Sequence, residues 1–98
     1  MASSKEYKDY IVEQLSLLGL IQTRAMMAEY LLYYQGVYFG GIFDDRFLVK
    51  MVSQNKKYEM KEELPYEGAK KMYLVSDIEN QERLKEIVLD TYQGLMKK

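Results

Sequence analysis

The chemistry open to this chain is limited, because its 98 residues include no histidine and no cysteine. Imidazole is the usual general base near neutral pH, and thiolates serve as nucleophiles and zinc ligands. Triads, thiol nucleophiles and zinc thiolate sites are therefore excluded. The remaining Lys, Asp, Glu, Tyr and Ser side chains show no recognisable catalytic arrangement. We expect no enzyme activity, no catalytic residue, no metal site and no cofactor.

Several lysines lie close together in sequence between residues 50 and 71. A basic patch would be built from Lys50, Lys56, Lys57, Lys70 and Lys71. Four glutamates lie among them in sequence, a pattern more typical of a solvated face of mixed charge. The formal net charge of the chain is -1, so nucleic-acid binding by this chain alone is disfavoured.

Arg24 stands in an apolar stretch beside Met26 and Met27. A strand there would place it at a sheet edge or pair it with a carboxylate such as Glu29. A structural ion pair is the favoured interpretation, and a small ligand held under the sheet near Arg24 is the alternative.

Two dipeptides have simple structural explanations. Asp44-Asp45 lacks the surrounding oxygen ligands of a calcium loop, so it predicts a turn. Gly40-Gly41 lies within an apolar run and predicts a bulge or the close approach of another backbone, since no phosphate-binding glycine motif is present.

Ten tyrosines are a large share of this chain. Tyrosine packs in cores with its hydroxyl in water, and it is also enriched at protein interfaces. Packing within the fold and a contact surface for a partner or a second copy both remain open. The surface, if present, is expected around Tyr33, Tyr38 and Phe39.

The chain is expected to form one domain over residues 1–98. Its start lacks a signal-peptide pattern, and no stretch approaches the roughly 20 apolar residues of a membrane span. A cytoplasmic protein without membrane contact is therefore expected.

Helical periodicity predicts a first helix over residues 4–18, with Ser3 and Glu6 as a capping box and Gly19 at its end. Apolar runs then change to a period near two and predict four strands in a meander, over residues 21–27, 30–34, 37–43 and 47–52. Tight turns are expected at Gln35-Gly36 and Asp44-Asp45. Both faces of this meander carry apolar side chains, so both are expected to be at least partly covered.

The second half is less regular. A charged surface connection with one helical turn around residues 55–60 is expected, followed by a turn at Pro65. Residues 70–75 predict a late strand at the sheet edge or paired with an earlier strand. Asp77 is expected to cap a C-terminal helix packed on the sheet. The fold class is thus α+β.

Several short segments give the chain a family resemblance. They are Arg24, Met26 and Met27; residues 33–36; Phe39; Asp45-Arg46; residues 48–50; and LPYEGAK at residues 64–70. With these residues the chain resembles the N-terminal domain of the TfoX/Sxy family from about Tyr7 to Leu95. The resemblance implies an antiparallel sheet flanked by helices, in a layout similar to YjbR-like and secretion chaperone-like folds.

The resemblance also suggests a role. Members of the family regulate competence genes in bacteria and commonly carry a second, C-terminal domain, for which these 98 residues leave no room. The family brings no catalytic residues with it. We therefore expect a bacterial regulatory module that acts through a protein partner or a homodimer. A nucleic-acid-binding regulator and a small-ligand-binding domain are the alternatives.

Overall fold

Six strands form one antiparallel sheet, and the two helices at either end of the sequence pack on one of its faces. The structure, a computed structural model, describes residues 4–27 and 29–97. Its elements are α1 (Lys5–Gln14), β1 (Gln22–Met26), β2 (Glu29–Tyr34), β3 (Val37–Ile42), β4 (Phe47–Val49), β5 (Lys61–Glu63), β6 (Met72–Leu74) and α2 (Gln81–Met96). The strands lie in the order β1-β2-β3-β4-β6-β5. The predicted α+β class is confirmed.

Helix α1 is shorter than the periodicity predicted. It ends at Gln14, and a separate 3-10 turn over Ser16–Leu18 carries the chain to Gly19, whose φ is +86°. Ser4 caps the helix, because its Oγ accepts a hydrogen bond from the Tyr7 amide at 3.1 Å. The predicted cap, Ser3, lies outside the described residues.

The first four strands form the predicted meander. Gln35 and Gly36 both have positive φ angles, as do Asp44 and Asp45. Positive φ at both central residues is the signature of the type I′ turn, whose twist suits a two-residue hairpin. The two turns therefore lie at the positions predicted from the sequence.

The late strand enters the sheet at an interior position. β6 pairs with β4 on one side and with β5 on the other. Of the two predicted alternatives, the edge position is therefore wrong and the pairing with an earlier strand is confirmed. The edge belongs instead to β5, whose sequence is Lys-Glu-Glu. A short charged strand is typical of a protected sheet edge, and its composition hides it from a search for apolar runs.

Helix α2 begins later than expected. Asn80 is its cap and accepts a hydrogen bond from the Arg83 amide, so the prediction of Asp77 as the cap is wrong. The α1 and α2 ends meet where Gln14 Nε2 donates to the Ile78 carbonyl at 2.9 Å. No helix of the described chain is both long and apolar enough to cross a membrane.

The main core lies between the helices and the sheet. Its fully buried members are Ile11 and Leu15 from the α1 side, Leu84, Ile87 and Val88 from α2, and Leu32, Phe39, Ile42, Phe47 and Val49 from the strands. Gly40 and Gly41 give the strands room to approach one another. A methyl group on Gly40 would overlap the Leu48 carbonyl oxygen and lie 2.9 Å from Val49 Cα. The predicted close backbone approach is therefore confirmed.

A buried polar cluster fixes the connection after β4. This 3-10 turn spans Ser53–Tyr58, close to the predicted helical turn. Asn55 is fully buried and donates to the Lys50 carbonyl at 2.9 Å and to Thr91 Oγ1 at 2.8 Å. Because a buried amide without partners is costly, these bonds attach the turn firmly to α2.

Candidate functional site

The face of the sheet opposite the helices carries a second, smaller apolar cluster. It consists of buried Phe43, Leu48 and Met72, with Leu31 and Leu74 partly buried beside them. Successive residues of a strand point to opposite faces, so Tyr33, which follows core residue Leu32, also lies on this side. We call this side the open face, because neither helix packs on it.

One segment of chain covers part of the open face. This segment, residues 64–71, connects β5 to β6 and is called the strap. Its Tyr66 ring packs against Phe43 with the ring centroids 6.0 Å apart, and its Pro65 is buried. The strap thus covers the Phe43 and Met72 side chains and leaves the neighbouring tyrosines half-exposed.

A pocket of about 490 Å³ opens between the strap and the sheet. Its lining residues are Tyr38, Phe43, Lys50, Met51, Pro65, Tyr66, Ala69, Lys70, Lys71 and Met72. The floor is aromatic and thioether surface, three lysines line it, and no lining residue is acidic. This combination suits a ligand that is apolar in part and negatively charged in part. We refer to it as the strap pocket.

Tyr33 and Tyr38 form the border between the strap pocket and the rest of the open face. Their ring centroids are 5.7 Å apart, and the Lys50 ammonium lies 4.3 Å from the centroid of the Tyr38 ring. Burial, with contributions from Tyr66 and Tyr33, raises the pKa of Tyr38 above its ordinary value. The Tyr38 hydroxyl therefore stays protonated at neutral pH and is able to donate a hydrogen bond to an anion.

Arg46 holds the strap in place from the turn between β3 and β4. Its Nη1 donates to Glu63 Oε1 at 2.8 Å and to the Leu64 carbonyl at 3.0 Å, while Nη2 donates to the Pro65 carbonyl at 3.1 Å. The Nε donates to the Phe43 carbonyl of its own turn at 3.1 Å. Because guanidinium is a planar fork with several fixed donors, this one side chain joins the turn between β3 and β4 to the end of β5 and the start of the strap.

The ion pair between Arg46 and Glu63 makes the strap sensitive to acid. The hydrogen bond from Arg46 lowers the pKa of Glu63 below its ordinary value. A carboxylate with a lowered pKa stabilises the fold at pH values above its unfolded pKa, and this contribution is lost as pH falls through the lowered value. The strap attachment is therefore expected to weaken below about pH 4.

Comparing the wild type with Glu63→Gln by urea unfolding from pH 7 to pH 3 measures this effect. The difference in free energy of unfolding should stay constant above about pH 5 and shrink steadily below it. Glu62→Gln, one residue away, is the matched control, since Glu62 forms no ion pair with any described residue. Parallel curves for all three proteins over the whole range would contradict the assignment.

The predicted contact surface is only partly assembled as expected. Tyr33 and Tyr38 lie together on the open face, but Phe39 is 0% exposed and belongs to the helix-side core. The inclusion of Phe39 in a surface is therefore wrong. The physical reason is the alternation of side chains along a strand, because Tyr38 faces the open side and the next residue, Phe39, therefore faces the helices. A register shift follows at Phe39, since Leu32 pairs with Gly40 and Tyr33 pairs with Tyr38.

The predicted basic patch divides into two groups. Lys50, Lys70 and Lys71 line the strap pocket. The other two belong to the 3-10 turn, where Lys57 Nζ lies 3.1 Å from Asp90 Oδ2 and Lys56 is exposed. Three of the five predicted residues are therefore brought together by the fold.

Arg24 lies on edge strand β1, where every residue is exposed. The sheet-edge placement is thus confirmed, while an ion pair with Glu29 stays a prediction. Arg24 lines neither the strap pocket nor the two smaller ones, a pocket of about 320 Å³ beside Tyr58 and one of about 330 Å³ beside Tyr34. The Tyr58 pocket has side chains of both charges, since Glu59 and Asp77 line it together with Lys61 and Arg83.

Among residues 4–27 and 29–97, no three carboxylates come together as a metal-binding group. Neither a family model nor a curated protein matches this sequence. The features that distinguish the pocket are its apolar floor and its three lysines, which together favour an anionic group carried on an apolar body.

Sequence reasoning did not identify Arg46 as part of a site, and it named only Lys70 and Lys71 of the strap, as members of the basic patch. Both lie within the segments that carry the family resemblance, Asp45-Arg46 and residues 64–70. The signal was therefore present, but the contact joins residues 17 to 19 positions apart. Only the pairing of β6 between β4 and β5 brings them together.

Proposed function

We propose that this chain is a non-enzymatic protein-interaction module that contributes to regulation by binding a partner protein on its open face. Its role would be similar to that of the N-terminal domain of the TfoX/Sxy family. The observation that carries the proposal is the packed Tyr33 and Tyr38 pair, half-exposed on a sheet face that no helix covers. Tyrosines are enriched at protein interfaces because they bring large rigid area together with a hydroxyl.

The surroundings of the pair support a contact surface. Leu31 and Leu74 are partly buried on the same face, and the strap pocket continues it on the other side of Tyr38. Apolar area, aromatic rings and a bordering set of charged side chains are the usual composition of a binding interface. Two other pockets lined by described residues, beside Tyr58 and beside Tyr34, are smaller, at about 320 and 330 Å³.

Substitution of one tyrosine tests the proposal. Tyr33→Ser removes ring area from the open face, and Tyr10→Ser is the matched control, because Tyr10 lies on α1 and is 37% exposed. Immobilised wild type and control should retain the same proteins from a lysate of the source cells, and Tyr33→Ser should lose them. Equal retention by all three chains would contradict the proposal.

Self-association needs a separate measurement. Sedimentation of the wild type over a hundredfold range of concentration shows whether a second copy occupies the open face. A concentration-dependent dimer that Tyr33→Ser abolishes would identify the partner as the chain itself. A monomer that retains no protein from the lysate would overturn the proposal.

A further inference from the structure

The strap pocket has a charge opposite in sign to that of the chain that contains it. Lys50, Lys70 and Lys71 line it, and no described lining residue carries a carboxylate, whereas the formal charge of the whole chain is -1. Lys50 contacts the Tyr38 ring, whereas neither Lys70 nor Lys71 forms an ion pair with a described residue. Local positive potential in an acidic protein attracts negatively charged groups and repels basic ones.

The apolar part of the pocket defines the other half of the ligand. Phe43 is 1% exposed and Met72 is 7% exposed, so both lie at the bottom, and Pro65 and Ala69 form the wall on the strap side. An apolar side chain placed there would be removed from water, and its contribution to binding would rise with each methylene buried. The lysines at the edge would meet charges on either side of that anchor.

From these observations we infer that the strap pocket binds an acidic segment of the partner protein, with one apolar side chain on Phe43 and Met72 and flanking carboxylates on the lysines. The inference rests on the proposed function, because it names the chemistry of that partner. The open face leads directly into the pocket through Tyr38, so the two surfaces form one continuous contact.

A nucleic acid fits the same residues less well. Stacking of bases on Tyr38 or Tyr66 would normally be accompanied by a basic groove along the phosphates. Three lysines make a short positive row on a chain with no net positive charge. An acidic peptide needs only the few charges that the pocket supplies.

Selection of peptides on the full chain tests the inference. The probe is a phage-displayed library of random twelve-residue peptides. Selected sequences should be rich in Asp and Glu around one apolar residue, and their affinity should fall as salt is raised. Enrichment of neutral or basic sequences, or no enrichment, would overturn the inference.

Charge reversal locates the binding. Lys70→Glu/Lys71→Glu should weaken a selected peptide about tenfold or more in fluorescence anisotropy. Lys56→Glu/Lys97→Glu is the matched control, with the same change in net charge at exposed positions away from the pocket, and it should change the Kd by less than about twofold. Equal weakening in both pairs, or tighter binding of a short DNA duplex than of any selected peptide at low salt, would overturn the inference.

The two proposals fail in different ways. Loss of the lysate partner with Tyr33→Ser but not with Lys70→Glu/Lys71→Glu would support the open face as the contact surface. It would contradict the inference that an acidic segment of the partner binds in the strap pocket. Retention of the lysate partner by both variants would contradict the proposal that the open face binds it.

Discussion

Replacing Gly40 with alanine is expected to cost about 3 kcal/mol or more of the free energy of unfolding, at the upper end of the range for overpacking. The added methyl would meet the Leu48 carbonyl oxygen and Val49 Cα, and both are backbone atoms of the paired strand β4. A side chain could turn away, but backbone cannot move without breaking the ladder. Urea unfolding followed by circular dichroism measures the loss.

Gly36→Ala is the matched control in the hairpin before β3. A methyl group there has open space, and its cost comes only from the φ angle of +81°. A left-handed conformation costs an alanine about 1 to 2 kcal/mol. If Gly40→Ala destabilised the protein no more than Gly36→Ala, the close contact between β3 and β4 would be disproved.

Replacing Arg46 with alanine is expected to release the strap while the rest of the sheet stays folded. The guanidinium donates to the Leu64 and Pro65 carbonyls and pairs with Glu63. The methyl side chain of alanine cannot make any of these bonds. Trypsin should then cut after Lys70 or Lys71 at a rate increased about tenfold or more, because a freed loop is a preferred site of cleavage. The same variant should bind the selected acidic peptides more weakly, since two of the three lysines lie on the strap.

Cleavage elsewhere separates release of the strap from general unfolding. Trypsin sites at Lys56 and Lys57 lie on the 3-10 turn that Asn55 attaches to α2, and their cleavage should change little. Arg46→Lys keeps the charge but loses the planar fork, so it should fall between wild type and alanine. If the rates at both regions rose together, Arg46 would support the whole fold rather than the strap.

The meander could be predicted because its signals are local. The turns at Gln35-Gly36 and Asp44-Asp45 are adjacent pairs that adopt left-handed angles, and the apolar runs on either side have the period of strands. A register defined by a two-residue turn needs no information from distant parts of the chain.

Other features depend on contacts that no local pattern contains. Phe43 lies on the same face as Tyr38 because one extra residue in β3, Phe39, shifts the alternation of the side chains after it. The β5 strand is charged, and it has a partner only because β6 inserts beside it. The strap pocket needs Arg46, residues 64–71 and the floor of the sheet together, so its residues could be found individually as lysines and tyrosines but not as a site.

The position of β6 between β4 and β5 also determines when the pocket can exist during synthesis. Strands β1 to β4 pair with their neighbours in sequence and are complete by Val49, whereas β5 has no partner in the sheet until Met72 to Leu74 have been made. Strands that are neighbours in sequence pair early, whereas a strand such as β6, which pairs with a strand more distant in sequence, joins the sheet late. A chain still emerging from the ribosome can therefore expose Tyr38 and Phe43 without the strap, and the strap pocket is complete only near the end of translation.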